Sequence, residues 1–256
     1  VDRWRKVGPP RVEPTPVGTP APDQPKRMIA AVGSMPESRR GPVDMDDSVE
    51  VWALLFELAF TSGMRAGERY ALMPYELELR DGVPGIFVQQ QIQEYGRPGD
   101  AVIPKWLDAE HLYGILWLTT PKTRAATRFV PIPQGLWDRL WARTRRLHVG
   151  PRELVFTNQL GHPVREATER HHWLKALEAA GLPQVRIHSA RHWMASMTAR
   201  AGMPEDARIS IMGHVSIQMT MQYTHRDAAN LGMLMAKAIP DLHGVDAIDV
   251  QAVDVG

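Results

Sequence analysis

Between residues 77 and 132 the chain breaks into short β-like runs cut by turn residues, while on either side the apolar residues recur at helical intervals. The β-like runs cover 77–80, 85–92, 115–119 and 128–132, and Asp81-Gly82 is a hairpin signal between the first two. Residues 121–127 join the last two runs as a polar loop. A longer connection over 94–111 is broken by Gly96, Pro98, Gly99 and Pro104. Confining the strands to one short stretch inside a helical chain predicts a mainly α, α+β domain: helices around one small antiparallel sheet.

The helical periodicity gives the remaining elements. Val49, Trp52, Leu55, Phe56 and Ala59 define a helix over 46–61, with Gly63 placed to end it. After Pro133 the pattern predicts helices over 134–148, 165–180, 189–202, 204–212, 217–223 and 227–238, interrupted by a short strand at 154–157. A further short helix is expected within 25–37. Trp137, Trp141, Trp173 and Trp193 fall at helical spacing and are expected in the core. There is no internal repeat.

Composition bounds the organisation. Of 256 residues, 44% are hydrophobic, enough for a sizeable core in one large or two small domains. The absence of cysteine excludes a disulfide framework and a zinc–thiolate site, and fits a cytoplasmic setting. No apolar run approaches the roughly 20 residues of a membrane-spanning helix. Residues 1–25, rich in Pro, Gly, Thr and Val, read as an extended linker. Because the chain opens on Val1, that linker is expected to follow an absent N-terminal DNA-binding domain. The catalytic domain is expected over 26–240 and a C-terminal tail over 241–256. The net charge is +1, but residues 120–200 hold 14 Lys or Arg against 5 Asp or Glu, an asymmetry that suits a basic face.

Four separated segments carry residue types suited to chemistry. Thr61-Ser62-Gly63-Met64-Arg65-Ala66-Gly67-Glu68 puts an arginine just after a helix end, with a carboxylate three residues on. Thr120-Pro121-Lys122-Thr123-Arg124 puts a lysine in a turn between strands. In Ile187-His188-Ser189-Ala190-Arg191-His192, His188 and Arg191 share a helix face. Met212-Gly213-His214 places a histidine after a glycine, and Tyr223 follows nine residues later. Each piece alone has an ordinary reading as surface or core. His171-His172 and His192 carry no metal argument, because adjacent histidines on a helix point apart.

Taken in this order and spacing, the segments resemble the catalytic domain of the tyrosine recombinase or phage integrase family. The family pattern is an arginine in a G-x-R-x-x-E context, a lysine in a β-turn, H-x-x-R, then G-H and a late tyrosine. Arg65, Lys122, His188, Arg191, His214 and Tyr223 fill it, and the resemblance spans residues 46–226. Ala190 stands where a larger apolar residue is common, and the 94–111 connection is long.

The resemblance implies cleavage of a phosphodiester by Tyr223, which keeps the bond energy in a 3′-phosphotyrosine ester. Arg65 and Arg191 would clamp the doubly charged transition state. Lys122 would protonate the leaving 5′ oxygen. His188 would accept the tyrosine proton or orient the phosphate, and His214 would donate to a non-bridging oxygen; the sequence does not separate these roles. Glu68 either buttresses Arg65 or a histidine, or is a surface carboxylate. Arg124 and Arg128 are expected to touch the DNA backbone, and Arg143, Arg145 and Arg146 lie either on DNA phosphates or on a solvated face. No metal, ATP or other cofactor is expected, since the arginines supply the positive charge. The implied partners are double-stranded DNA, further protomers in a tetramer, and accessory DNA-bending or directionality proteins, with no membrane. Two other readings are a type IB topoisomerase-like enzyme and a non-catalytic DNA-binding relative. The apolar stripe of Leu231, Met233, Leu234, Ala238 and Ile239 docks either on a neighbouring protomer or on its own domain.

Overall fold

The computed structural model of the chain describes residues 18–35, 45–121, 126–158, 160–213 and 228–243. Its helices are α1 (Gln24–Ala30), α2 (Met45–Ser62), α3 (Ala66–Tyr70), α4 (Gln134–Arg146), α5 (Glu166–Ala179), α6 (Ser189–Arg200), α7 (Glu205–Met212) and α8 (Ala228–Ala238). The strands are β1 (Leu77–Arg80), β2 (Val83–Val88), β3 (Gln91–Glu94), β4 (Ala109–Tyr113), β5 (Leu116–Thr119) and β6 (Arg128–Pro131). The α+β, mainly helical class read from the sequence is the class observed.

Helix α2 runs through the centre. Leu54, Leu55, Phe56, Leu58 and Phe60 are all buried, so it is enclosed on every side as a core helix, with the buried Glu57 paired to Arg139. Two tryptophans fasten its neighbours to it. Trp173 of α5 meets Phe56 edge-on at 5.3 Å and Phe60 at 5.4 Å, and Trp193 of α6 meets Phe60 at 5.6 Å. Such pairs contribute about 0.5–1.5 kcal/mol each beyond their burial. They hold the C-terminal end of α2 beside the N-terminal half of α6, which brings the Gly63–Arg65 turn to Arg191. Trp137 and Trp141 differ from expectation. They pack edge-on against each other at 5.8 Å along α4, but both are only half-buried.

The strands form two antiparallel three-stranded sheets, β1-β2-β6 and β3-β5-β4, where one sheet was expected. The β1–β2 hairpin has the two-residue loop that Asp81-Gly82 predicts: both residues have positive φ (50° and 78°), and Arg80 pairs with Val83. The run 85–92 is split between the sheets. Val88 ends β2 on the first sheet and Gln91 opens β3 on the second. β5 and β6, which the sequence joins through 121–127, belong to different sheets; residues 122–125 lie outside the described residues. The 94–111 connection contains most of β4, which pairs with β5 through a shift in register between His111 and Tyr113. Residues 154–157 form no strand. Val155 donates to the Leu72 carbonyl (2.8 Å), and Thr157 makes an isolated bridge to Pro163.

The second sheet packs closely on α3 through β3. A Cβ on Gly67 would lie 2.4 Å from the Ile92 carbonyl oxygen of β3, so only glycine lets helix and strand approach this closely. At the chain ends, residues read as linker and tail pack on the domain. Trp193 Nε1 donates to the Ala21 carbonyl (3.3 Å), Pro20 and Pro25 are buried, and Leu242 is buried beyond the expected boundary at residue 240. Helix α8 packs on its own domain, against α6, β2 and β6, with Leu231, Met235, Ala238 and Ile239 buried while Met233 is exposed.

Candidate active site

The site grows out of the turn between α2 and α3. Gly63 (φ 62°) ends α2, Arg65 is extended at the N-terminus of α3, and Glu68 sits at the third position of that helix. From there Glu68 reaches back to accept from the Arg65 amide (2.8 Å), half of a capping box. The same carboxylate accepts from the Arg65 guanidinium (2.9 Å) and from both Nη atoms of Arg128 (3.1 and 2.9 Å). The Glu68 side chain is 2% exposed, so it buttresses Arg65 from below and is no surface carboxylate.

Arg128 also differs from expectation. Instead of facing outward toward DNA, it is buried, and its donors are directed at Glu68, the Ile211 carbonyl (2.6 Å) and the Ala126 carbonyl (2.8 Å). It ties the start of β6, Glu68 and the end of α7 into one unit. Arg143 is likewise buried, donating to the Val155 carbonyl (3.2 Å) and pairing with Glu50, a partner it shares with Arg146. Arg145 is exposed.

Arg191, in the first turn of α6, donates to the carbonyls of Gly63 and Met212. Arg65 donates to the next carbonyl along, Gly213 (3.2 Å). Arg65 and Arg191 therefore grip consecutive peptide units where α7 ends, and Gly213 immediately precedes His214 in the sequence. Gly213 is left-handed (φ 62°), a conformation that favours glycine, and a Cβ there would crowd the Arg128 guanidinium carbon at 3.0 Å. His188 caps α6 beside this group, exposed, its ring edge-on to His192 at 5.0 Å.

Three guanidinium groups around one carboxylate leave a net excess of two positive charges. That excess is visible in the ionisation of its members. Burial, followed by Arg65 and Arg128, pushes Arg191 down to about 10, still charged at neutral pH. Burial, followed by His192, Arg191, Arg65 and Arg69, holds His188 below its ordinary value, so the imidazole is neutral near pH 7. For Glu68, burial pushes upward but is outweighed by the hydrogen bonds and charge of Arg128 and Arg65, and the net shift is downward. A cluster with fixed guanidinium groups, excess positive charge and a neutral imidazole beside it is suited to an anion that gains charge during reaction.

Of the residues singled out in the sequence, Arg65, Glu68, His188 and Arg191 are thus brought together. Lys122, Arg124, His214 and Tyr223 lie outside the described residues, as does the helix expected over 217–223. Among the described residues no group of three His, Cys, Asp or Glu is placed to hold a metal ion, and no helix is long and apolar enough to cross a membrane. Sequence reading missed the buried Arg69, Tyr70 and Glu169 behind the site. Arg69 and Tyr70 follow Glu68 directly, but nothing in the sequence pairs them with a glutamate 100 residues away.

Comparison with known proteins places the chain in a family. The sequence profile of the Phage integrase family matches residues 43–230. A tyrosine recombinase XerC-like protein of Caldanaerobacter subterraneus subsp. tengcongensis is 28% identical over 184 residues, 67% of this chain and 44% of that protein. An integrase of Saccharopolyspora erythraea is 31% identical over 114 residues, 41% of this chain and 26% of that one. The chain therefore spans less than half the length of these relatives. Among solved structures, the Tn1549 transposon integrase in complex with transposon right end DNA has a TM-score of 0.57 at 19% identity, covering 86% of this chain and 66% of that one. The XerA recombinase has a TM-score of 0.51 at 17% identity, covering 91% and 67%. These structural likenesses concern the fold.

Proposed function

The chain belongs to the Phage integrase family, and from that premise we propose that it is a site-specific recombinase that cuts and rejoins DNA through a covalent bond to Tyr223. The observation that carries this reading is the convergence of Arg65 and Arg191 on the residues just before His214, with Glu68 and Arg128 fixing the cluster from beneath and His188 at the start of the helix that carries Arg191.

In the proposed reaction the Tyr223 oxygen attacks the phosphorus, its proton passes to a base, and the bond to the 5′ oxygen breaks as Lys122 supplies a proton to it. The phosphoryl group ends on the tyrosine as a 3′-phosphotyrosine. Attack by the 5′ hydroxyl of another strand reverses the sequence, so the bond energy is conserved without ATP. The arginines oppose the second negative charge that builds on the non-bridging oxygens, a type of contact worth about 10²–10³ in rate. The neutral state of His188 favours the role of proton acceptor over that of a charged donor. Arg124 is assigned to the DNA backbone. Strand exchange between two duplexes calls for four protomers, one for each strand cut, working in the bacterial cytoplasm on integrating or mobile DNA.

The test uses nicked duplexes with randomised arms, which trap the covalent intermediate when the cut strand's short end diffuses away. The protein is expected to become linked to DNA in a form that survives denaturation. Tyr223→Phe should abolish the adduct while leaving DNA binding in place. An adduct on the phenylalanine variant would remove Tyr223 as nucleophile, and no adduct on any bound duplex would remove the recombinase reading. Exchange between paired sites, as against relaxation of supercoils on a single duplex, separates recombinase from topoisomerase.

A further inference from the structure

The turn that presents Arg65 is held by three contacts on two successive peptide units, Gly63–Met64 and Met64–Arg65. The Gly63 carbonyl accepts from Arg191, the Met64 carbonyl from Arg69 Nη1 (3.1 Å), and the Arg65 amide donates to Glu68. Two of these holds come from residues already placed in the site. The third comes from behind. Arg69 is buried in the last turn of α3, and its Nη2 donates to both carboxylate oxygens of Glu169 on α5 (2.7 and 2.8 Å). The Tyr70 hydroxyl donates to the same carboxylate. Glu169 is fully buried on a helix that contributes nothing else to the cluster.

Such a pair is an expensive way to join two helices. Buried ion pairs commonly add no more stability than apolar side chains of the same size. An apolar pair would not, however, supply a donor to the Met64 carbonyl, nor fix that donor's position through a partner anchored elsewhere. Burial alone would push Arg69 down, but Glu169 and Tyr70 hold it above its ordinary value, so it stays a cation.

We propose that Arg69, held by Glu169 and Tyr70, is a positioning residue that sets the place of the Arg65 guanidinium relative to Arg191. The inference rests on the recombinase reading for its catalytic consequence, though not for its structural one. Arg69 touches no reacting atom. It acts through the Met64–Arg65 peptide, where a displacement of about 1 Å at the reacting centre is enough to cost about 10²-fold in rate.

The test compares wild type with the double variant Arg69→Met, Glu169→Gln, which removes both charges together, keeps the side-chain volumes and leaves Tyr70 an acceptor. Arg69→Lys serves as the conservative variant, able to reach the Met64 carbonyl or Glu169 but not to fork between them. Two measurements are made. Amide hydrogen exchange at Arg65 is compared with that at Leu55 in the core. Loss of the clamp should speed exchange at Arg65 by about tenfold or more relative to Leu55, whereas a general loss of stability would speed both alike.

Single-turnover adduct formation on the trapped duplex should fall by about 10- to 100-fold in the double variant, less in Arg69→Lys, with DNA affinity unchanged. Unaltered relative exchange at Arg65, or a normal adduct rate in a folded double variant, overturns the inference. If the wild type forms no adduct at all, it is the recombinase reading that fails, and the exchange data still decide whether Arg69 holds the turn.

Discussion

Replacing Glu68 with glutamine removes one charge and changes one atom. The carboxylate accepts four hydrogen bonds: at Oε1 from Arg65 Nη1 and Arg128 Nη1, and at Oε2 from the Arg65 amide and Arg128 Nη2. Whichever oxygen becomes the amide nitrogen then faces two donors and accepts from neither. The remaining oxygen is a neutral acceptor, and the three guanidinium groups repel each other without a counter-charge. Breaking a buried pair by removing one partner costs about 3–5 kcal/mol, and the enclosure of Glu68 and Arg128 puts Glu68→Gln in that range.

The assay is urea unfolding of both proteins from pH 7 to pH 3. The sign follows from the depressed carboxyl. Its contribution is complete above the ordinary value of 4.5 and is lost as pH falls through the lower folded-state value. The stability gap should therefore be full at pH 7 and narrow on acidification below about 4.5. A gap under about 1 kcal/mol at pH 7, or one that does not narrow in acid, would refute the claim that this carboxylate is the keystone of the arginine cluster.

Two further outcomes follow from the site. His188 lies below its ordinary value of 6.5, so its NMR titration should fall under pH 6.5 and move upward in Arg191→Ala; titration at or above 6.5 in the wild type would contradict the field described. Because the neutral form is the favoured one, the contribution of His188 to stability is complete above 6.5 and declines as pH drops through the folded-state value. Lys122→Ala should slow adduct formation by about 10²–10⁴ on ordinary DNA and recover on a 5′-bridging phosphorothiolate, whose leaving sulfur needs no proton; failure to recover removes Lys122 as the acid.

The helices were legible because their apolar residues repeat every three or four positions over several turns. The 134–148, 165–180, 189–202 and 204–212 readings meet α4 to α7 within two residues at every boundary. What escaped was short or set by partners far along the chain. Helix α3 has only five residues, Ala-Gly-Glu-Arg-Tyr, too few to show a period. Strand β4, Ala-Glu-His-Leu-Tyr, carries no clean alternation and exists because β5 pairs with it. The division of 85–92 between two sheets falls at Gln89-Gln90, two polar residues that a reading of one continuous strand passes over. Within the site, Arg65, His188 and Arg191 were readable from their local motifs. The inward turn of Arg128 was not, since an arginine beside a polar loop looks the same whether it faces solvent or a buried glutamate 60 residues away.

The seam at Gly67 has a consequence for how this domain tolerates change. A methyl group there would force α3 and β3 apart by at least about 0.6 Å, from 2.4 to 3.0 Å, and the atom opposite is main-chain oxygen that no rotamer can move aside. The outer β3-β5-β4 sheet and the arginine cluster are thus geared together through a missing side chain. Substitutions that tilt the outer sheet will register at Arg65 even when they lie well away from it. Swapping that sheet between relatives should then succeed only when the neighbouring helix travels with it.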